Sequence, residues 1–273
     1  MKKLSVLLQL YSVREDAEKD LAGTLLRVKE IGYEGVELAG LYGKPAADIK
    51  KMLDEAGLPA ISAHVPYDLL MDDMEGTIAA YKQIGCRYIA VPYLTEEYRP
   101  PSEGFIEAVK NIGKIGACCK KNDIVLLYHN HDFEFVKMAD GRYGLDYMYE
   151  SISSEYLETQ LDTCWVNVAG ENPAAYIRKY AGRCPIVHLK DFYKEGNPKD
   201  FYELIGIESK ATANTGRFEF RPLGLGMQVM PEIVEAAVES GASYMVVEQD
   251  LSVGRTSMEA AEISRKYLRL LGQ

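Results

Sequence analysis

The chain has 273 residues, 47% of them hydrophobic, with five cysteines, four histidines and a formal net charge of −10. That length and apolar content suit one α/β barrel with a full core, while the acidic balance argues against nucleic acid or an anionic membrane as a partner, because phosphate binding needs a basic face. The leading run LSVLLQL is too short for a membrane span or for most signal sequences, and an odd cysteine count without framework spacing suggests free, buried thiols in a reducing cytoplasm.

In chain order, Leu4–Leu10 predicts a first strand, and Asp20 precedes a helix from Leu21 to Val28 that Gly32 stops. Gly35–Leu38 is the second strand, Ala46–Ala56 a helix ended by Gly57, Pro59–His64 the third strand, and Met74–Ile84 the next helix. Tyr88–Pro92, a long helix over Glu103–Lys121 and Ile124–Tyr128 carry the rhythm through the fifth strand. A short helix over Leu145–Ser151 leads to a sixth strand, Glu158–Asp162. A helix over Pro173–Tyr180, with Pro in its first turn, leads to a seventh, Ile186–Lys190. A helix over Pro231–Ser240, an eighth strand over Tyr244–Glu248 and a last helix over Ser257–Leu271 complete the pattern. Eight strand–helix pairs without linker composition predict a (β/α)8 TIM barrel spanning 1–273 as one domain, with strands that read as continuous apolar runs, as buried parallel strands do. The connection from Phe192 to Met230 is long for a βα loop and reads as a lid or a partner surface.

Polar residues gather where the strands end, the side on which such barrels build active sites. Gln9 ends the first strand, Glu37 the second and His64 the third, and Tyr93 follows the fourth. His129, His131 and Glu134 follow the fifth; Gln160 and Asp162 end the sixth, His188 and Lys190 lie on the seventh, and Glu248 ends the eighth. Carboxylates mixed with an imidazole suit Mn²⁺, Mg²⁺, Co²⁺ or Zn²⁺. A metal there can hold two sugar oxygens and polarise a carbonyl, flanking carboxylates can move a proton on the adjacent carbon, and Lys190 can neutralise enolate charge. The bland roles stand beside these: Asp162 can cap a turn, Gln9 can satisfy backbone at the mouth, Glu37 can pair a lysine, His64 can be a bonded core histidine, and Trp165, Tyr93 and Tyr128 serve equally as wall or as sugar-stacking surfaces.

The chain resembles the sugar phosphate isomerase/epimerase family with the xylose isomerase-like barrel. The resemblance covers nearly the whole length and rests on Leu8–Arg14 (LQLYSVR), Gly32–Leu38 (GYEGVEL), Ser62-Ala63-His64, Tyr128–Phe135 (YHNHDFEF), Leu161-Asp162-Thr163, His188–Asp191 (HLKD) and Val247–Asp250 (VEQD). It implies one divalent metal, Mn²⁺ first, held by Glu134, Asp162, His188 and Glu248, with His129 the competitor for the fifth-strand ligand. It implies catalytic work by Glu134, Glu248, His131 and Lys190, and substrate contacts from Gln9, Glu37, His64, His129 and Trp165. The expected reaction is isomerisation or epimerisation of a ketose, keto-sugar or cyclitol through a metal-bound enediolate; the alternative is β-elimination from a 3-keto-glycoside or keto-inositol. Gly224-Leu225-Gly226 departs from relatives that carry an acidic residue between the glycines, and with no glycine-rich phosphate loop elsewhere the expected substrate is not phosphorylated. The barrel also resembles metal-dependent apurinic endonucleases, against which the four histidines and the acidic charge argue. A metal-free scaffold of the same fold is the non-enzyme alternative. A homodimer is the default assembly.

Overall fold

The structure, a computed structural model, describes residues 2–198, 202 and 215–273. Eight parallel strands close a barrel: β1 Ser5–Gln9, β2 Gly35–Ala39, β3 Ala60–His64, β4 Tyr88–Val91, β5 Val125–His129, β6 Glu158–Asp162, β7 Ile186–Leu189 and, after a hairpin of β8 Asp191–Asn197 and β9 Thr215–Arg221, β10 Tyr244–Val247. β10 pairs with both β7 and β1 and so closes the ring. Each expected strand is present, with its ends moved by at most one residue. Three six-residue helices, Arg14–Lys19, Tyr67–Asp72 and Thr163–Val168, were not expected; each follows closely on a strand end and is too short to show a helical period. No helix among the described residues is long and apolar enough to cross a membrane.

The strand period of two divides the core. Leu7, Tyr88, Ala90, Leu127, Ile186 and Val246 form a compact cluster inside the barrel. Their neighbours Val6, Leu8, Ile89, Leu126, Val187 and Val247 belong instead to the large core between strands and helices. Two residues further along the inner face, the side chains turn polar. Leu7 is followed by Gln9, Leu127 by His129, Ile186 by His188 and then Lys190, and Val246 by Glu248. The inward face of the barrel is therefore apolar below and ionisable at the rim.

The long connection after β7 is partly an antiparallel hairpin, β8 with β9, in the register Asp191↔Arg221 to Asn197↔Thr215. The rest of the expected lid, 199–201 and 203–214, lies outside the described residues. The hairpin is tied to the rim by Asp191. Its Oδ2 accepts from the backbone N of Gly224 (3.0 Å) and Gly226 (3.1 Å), and its Oδ1 from Phe192 N (2.9 Å) and Gln228 N (3.1 Å). The two glycines thus wrap a carboxylate of this chain, and Leu225 between them points half-exposed to solvent. A Cβ on Gly226 would lie 2.1 Å from Asp191 Oδ1 and 2.6 Å from the carbonyl oxygen of Phe192, closer than atoms pack. Gly226→Ala is expected to cost about 1–3 kcal/mol, read as a lower urea midpoint; an unchanged midpoint would show that the loop shifts without loss.

Candidate active site and metal cluster

The rim residues converge because neighbouring strands place their last inward side chains at one level. His129 on β5, Asp162 on β6, His188 on β7 and Glu248 just after β10 each offer one ligand atom, and these atoms all lie within 4.8 Å of one another. His129 Nε2 is 3.7 Å from Asp162 Oδ2 and 3.9 Å from Glu248 Oε2, while His188 Nδ1 is 3.1 Å from Glu248 Oε2. All four side chains are buried.

Beneath them lies a polar layer that sets which nitrogen each histidine presents. Glu37 Oε1 accepts from Gln9 Nε2 and from His188 Nε2, each at 2.7 Å, and Glu37 Oε2 accepts from Ser62 Oγ at 2.5 Å and Gln160 Nε2 at 2.6 Å. Gln160 Oε1 in turn accepts from His129 Nδ1 (3.2 Å) and His64 Nε2 (2.8 Å). With Nε2–H of His188 given to Glu37 and Nδ1–H of His129 given to Gln160, His188 turns Nδ1 and His129 turns Nε2 toward the cluster. This is the carboxylate- or amide-backed arrangement that orients imidazole ligands. Asp162 is used differently. Its Oδ1 caps the helix Thr163–Val168 by accepting from Cys164 N (2.8 Å) and Trp165 N (3.1 Å), and its buried Oδ2 has no hydrogen-bond partner among the described residues. A buried carboxylate oxygen without a donor costs free energy unless a cation or charge faces it. The orphaned oxygen, the ring nitrogens that His129 and His188 turn inward, and Glu248, on which His188 Nδ1 sits at 3.1 Å, form a donor set that fits a divalent cation.

Charge balance follows the same plan. Burial lowers the affinity of His129 for a proton, as do His188 and His64 nearby, so it stays neutral, as a ligand must. Burial also pulls His188 down, but Glu37 and Glu248 outweigh it and carry it up to about 10, so its Nδ1–H faces Glu248 and a cation would have to displace that proton. Burial raises Asp162 to about 7, opposed by Lys190. Burial would raise Glu248 too, yet Lys190 and His188 hold it well below the usual carboxylate range. Lys190 Nζ lies 2.6 Å from Asp250 Oδ2, 3.2 Å from Glu248 Oε2 and 3.6 Å from Asp162 Oδ2. Burial pulls its pKa down, but these carboxylates overcome that and keep it an ammonium ion.

A cavity of about 370 Å³ opens above the cluster. His64, His129, His131, Lys190, Glu248 and Asp250 form its polar base. His131 stacks on Trp165 (5.0 Å between centroids) and on Phe133 (5.5 Å); burial, then Lys190, holds it neutral, and its Nδ1 has no hydrogen-bond partner among the described residues.

Four of the expected site residues lie away from the cluster or the cavity. Glu134 is not in the cluster; His129 occupies the fifth-strand position. After β5 the chain makes a single 3-10 turn, Phe133–Phe135, that folds Glu134 back on its own backbone. Its Oε2 accepts from His131 N (2.8 Å) and its Oε1 from Tyr128 Oη (2.5 Å), and burial pushes its carboxyl up to about 8. Gln9 and Glu37, expected to touch substrate, lie fully buried under the cluster and do not line the cavity, because their hydrogen bonds are taken by one another and by the histidine layer. Trp165, expected as a stacking surface, lies fully buried behind His131, where the Asp162 cap and the hairpin rings Phe218 and Phe220 hold it. Three contributors were not assigned from sequence: Ser62, Gln160 as the amide that orients His129 and His64, and Asp250 as the partner of Lys190. Each sits two residues from a recognised rim residue (His64, Asp162 and Glu248), a spacing that marks the same side of an extended chain.

A family model, xylose isomerase-like TIM barrel, matches residues 25–271. Inosose dehydratase of Clostridium beijerinckii is 24% identical over 264 residues, which cover 87% of this chain and 85% of that protein. Among solved structures, a sugar phosphate isomerase/epimerase from Parabacteroides distasonis superposes with a TM-score of 0.76 at 22% identity, covering 98% of both chains. A probable 3-DHS dehydratase from Bacillus anthracis superposes with a TM-score of 0.72 at 12% identity, covering 97% of this chain and 99% of its own.

Two substitutions test the ligand geometry. Glu37→Gln should weaken Mn²⁺ binding about 10–100-fold by removing the negative charge behind His188 and setting an amide N–H against donors that point at the carboxylate, read by competition with a chelator; unchanged affinity would deny Glu37 that role. Loss of metal in His129→Ala with full metal content in Glu134→Gln, by elemental analysis, is the expected pattern, and the reverse would return Glu134 to the ligand set.

Proposed function

The chain belongs to the xylose isomerase-like TIM barrel family and is an enzyme of that superfamily, and from this premise we propose that it removes a proton beside the carbonyl of a keto-sugar or keto-cyclitol and expels a β-substituent. One observation carries the reading. The fifth strand brings His129 rather than a carboxylate to the cluster, and Glu134 is turned away. Among the described residues, that leaves His131 as the cavity base outside the cluster: Asp250 and Glu248 are engaged by Lys190, and His64 by Gln160 and Glu37. A single proton carrier suits elimination, in which one group can take the proton and hand it on. The curated relatives named inosose dehydratase support the same order.

His129, Asp162, His188 and Glu248 would hold the cation; two imidazoles with two carboxylates suit Mn²⁺, Co²⁺ or Zn²⁺ better than Mg²⁺, which favours oxygen donors. When bound, it would supply Lewis-acid polarisation of the substrate carbonyl. His131, neutral and held against Trp165, accepts the α-proton at an imidazole nitrogen. The electrons of the broken C–H bond pass to the carbonyl oxygen, where the ammonium of Lys190 offsets the developing negative charge. As the carbonyl re-forms, the β C–O bond breaks and His131 returns its proton to the departing oxygen. Proton, electrons and leaving group balance without a redox partner. Isomerisation or epimerisation is the second reading, favoured by the fact that Glu248 lines the same cavity as His131 and provides a carboxylate as a second proton carrier.

Mass spectrometry of Mn²⁺-loaded protein incubated in D₂O with keto-inositols and 3-keto-glucosides separates the two. Loss of water or of the aglycone is expected. A product of unchanged composition that gains deuterium would replace elimination by isomerisation or epimerisation. His131→Asn should lower turnover about 10²–10⁴-fold, the range for general acid–base catalysis, with metal content unchanged; full activity would remove His131 from the mechanism.

A further inference from the structure

We infer that the substrate carries an uncharged apolar group beyond its keto ring, as an aryl or alkyl keto-glycoside does, rather than being a bare polyol ring; this rests on the proposed chemistry at a keto-sugar. The cavity is two-faced. Its base is polar, but the wall and mouth above that base are Ala39, Pro66, Leu69 and Pro92, with the rings of Tyr11 and Tyr93. A free cyclitol bears oxygen on every carbon, and hydroxyls turned to Ala39, Pro66, Leu69 and Pro92 would lose water and find no side-chain partner short of the Tyr11 and Tyr93 hydroxyls, which is costly. A substrate whose sugar ring sits on the polar base and whose aglycone lies against the wall avoids the penalty and buries apolar surface instead.

Leu69 gives the wall its clearest sign. It lies on the helix Tyr67–Asp72, whose Tyr67 and Leu70 make the buried contacts, yet Leu69 itself is 52% exposed while lining the cavity. The core does not use it. Charge points the same way. Lys190 is the one Lys or Arg among the described residues that line the cavity, and Asp250, Glu248 and Asp162 already engage it, so nothing there invites a phosphate. The Tyr11 and Tyr93 rings offer flat surfaces that favour an aromatic aglycone.

The test compares phenyl β-D-glucoside with methyl β-D-glucoside, neither of which has a carbonyl to react. Calorimetry measures their binding to the Mn²⁺-loaded protein and to Leu69→Asn, an exposed substitution that leaves the core untouched. The phenyl glucoside should bind at least about tenfold more tightly to the native protein, equivalent to about 1.4 kcal/mol, and most of that margin should vanish in Leu69→Asn while methyl glucoside binding holds. Equal affinity for the two glucosides, binding of neither, or a margin that survives Leu69→Asn overturns the inference. Because this readout is binding and the D₂O experiment reads turnover, a failed elimination with an intact phenyl preference condemns the reaction alone.

Discussion

The carboxylate of Glu37 is the group on which the rest of the site depends. It lies fully buried inside the barrel, where a charge survives only if every lone pair is answered, and Gln9, Ser62, Gln160 and His188 answer it. Burial alone would raise its pKa; His64 and His188 hold it well below the ordinary range, so it stays an acceptor. An acceptor at this place fixes the ring of His188 directly and, by orienting Gln160, fixes His129 and His64 as well. The imidazoles above it are thereby aimed before anything binds, which is the preorganisation that a cluster of ring nitrogens and carboxylates needs.

Above this layer the charges do not cancel pairwise. Asp162, Glu248 and Asp250 share one ammonium, that of Lys190, and the oxygen of Asp162 turned toward the cluster has no donor. An excess of negative charge in a buried site is expensive, and a divalent cation offsets it. The same crowding makes Glu248 a weak base, because Lys190 and His188 stabilise its ionised form, and it is this that shifts attention to His131, whose ring is held by stacking instead of by a charge partner.

Much of this architecture was legible in the sequence because it follows from period and composition. Buried parallel strands write themselves as apolar runs, glycines such as Gly32 and Gly57 stop the helices, and residues two apart on an inner face fall at one rim. Where legibility ended, a local backbone event intervened. Glu134 sits five residues beyond His129, and nothing in YHNHDFEF says whether that stretch stays extended or turns; the 3-10 turn decides it and returns the carboxylate to the backbone of His131. Trp165 reads as a cavity residue until Asp162 caps the helix that carries it behind His131. The hairpin after β7 hides in a polar stretch, DFYKEGN, that resembles a loop in composition. The glycine pair, where relatives carry an acidic residue between the glycines, encloses a carboxylate of the chain's own, Asp191. Composition cannot distinguish a carboxylate bound by its own chain from one reserved for a substrate.

The alternation along each strand, apolar below and ionisable above, separates what folds the barrel from what reacts in it. The inner cluster of Leu7, Tyr88, Ala90, Leu127, Ile186 and Val246 closes the interior without help from the rim. An exchange of one rim residue, such as imidazole for carboxylate at position 129, therefore alters the chemistry while the hydrophobic interior goes on holding the strands in register. The reaction at the mouth can therefore change while the strands keep their register, provided the buried polar layer is re-paired around each exchange, and barrels of one shape can differ in what leaves the substrate.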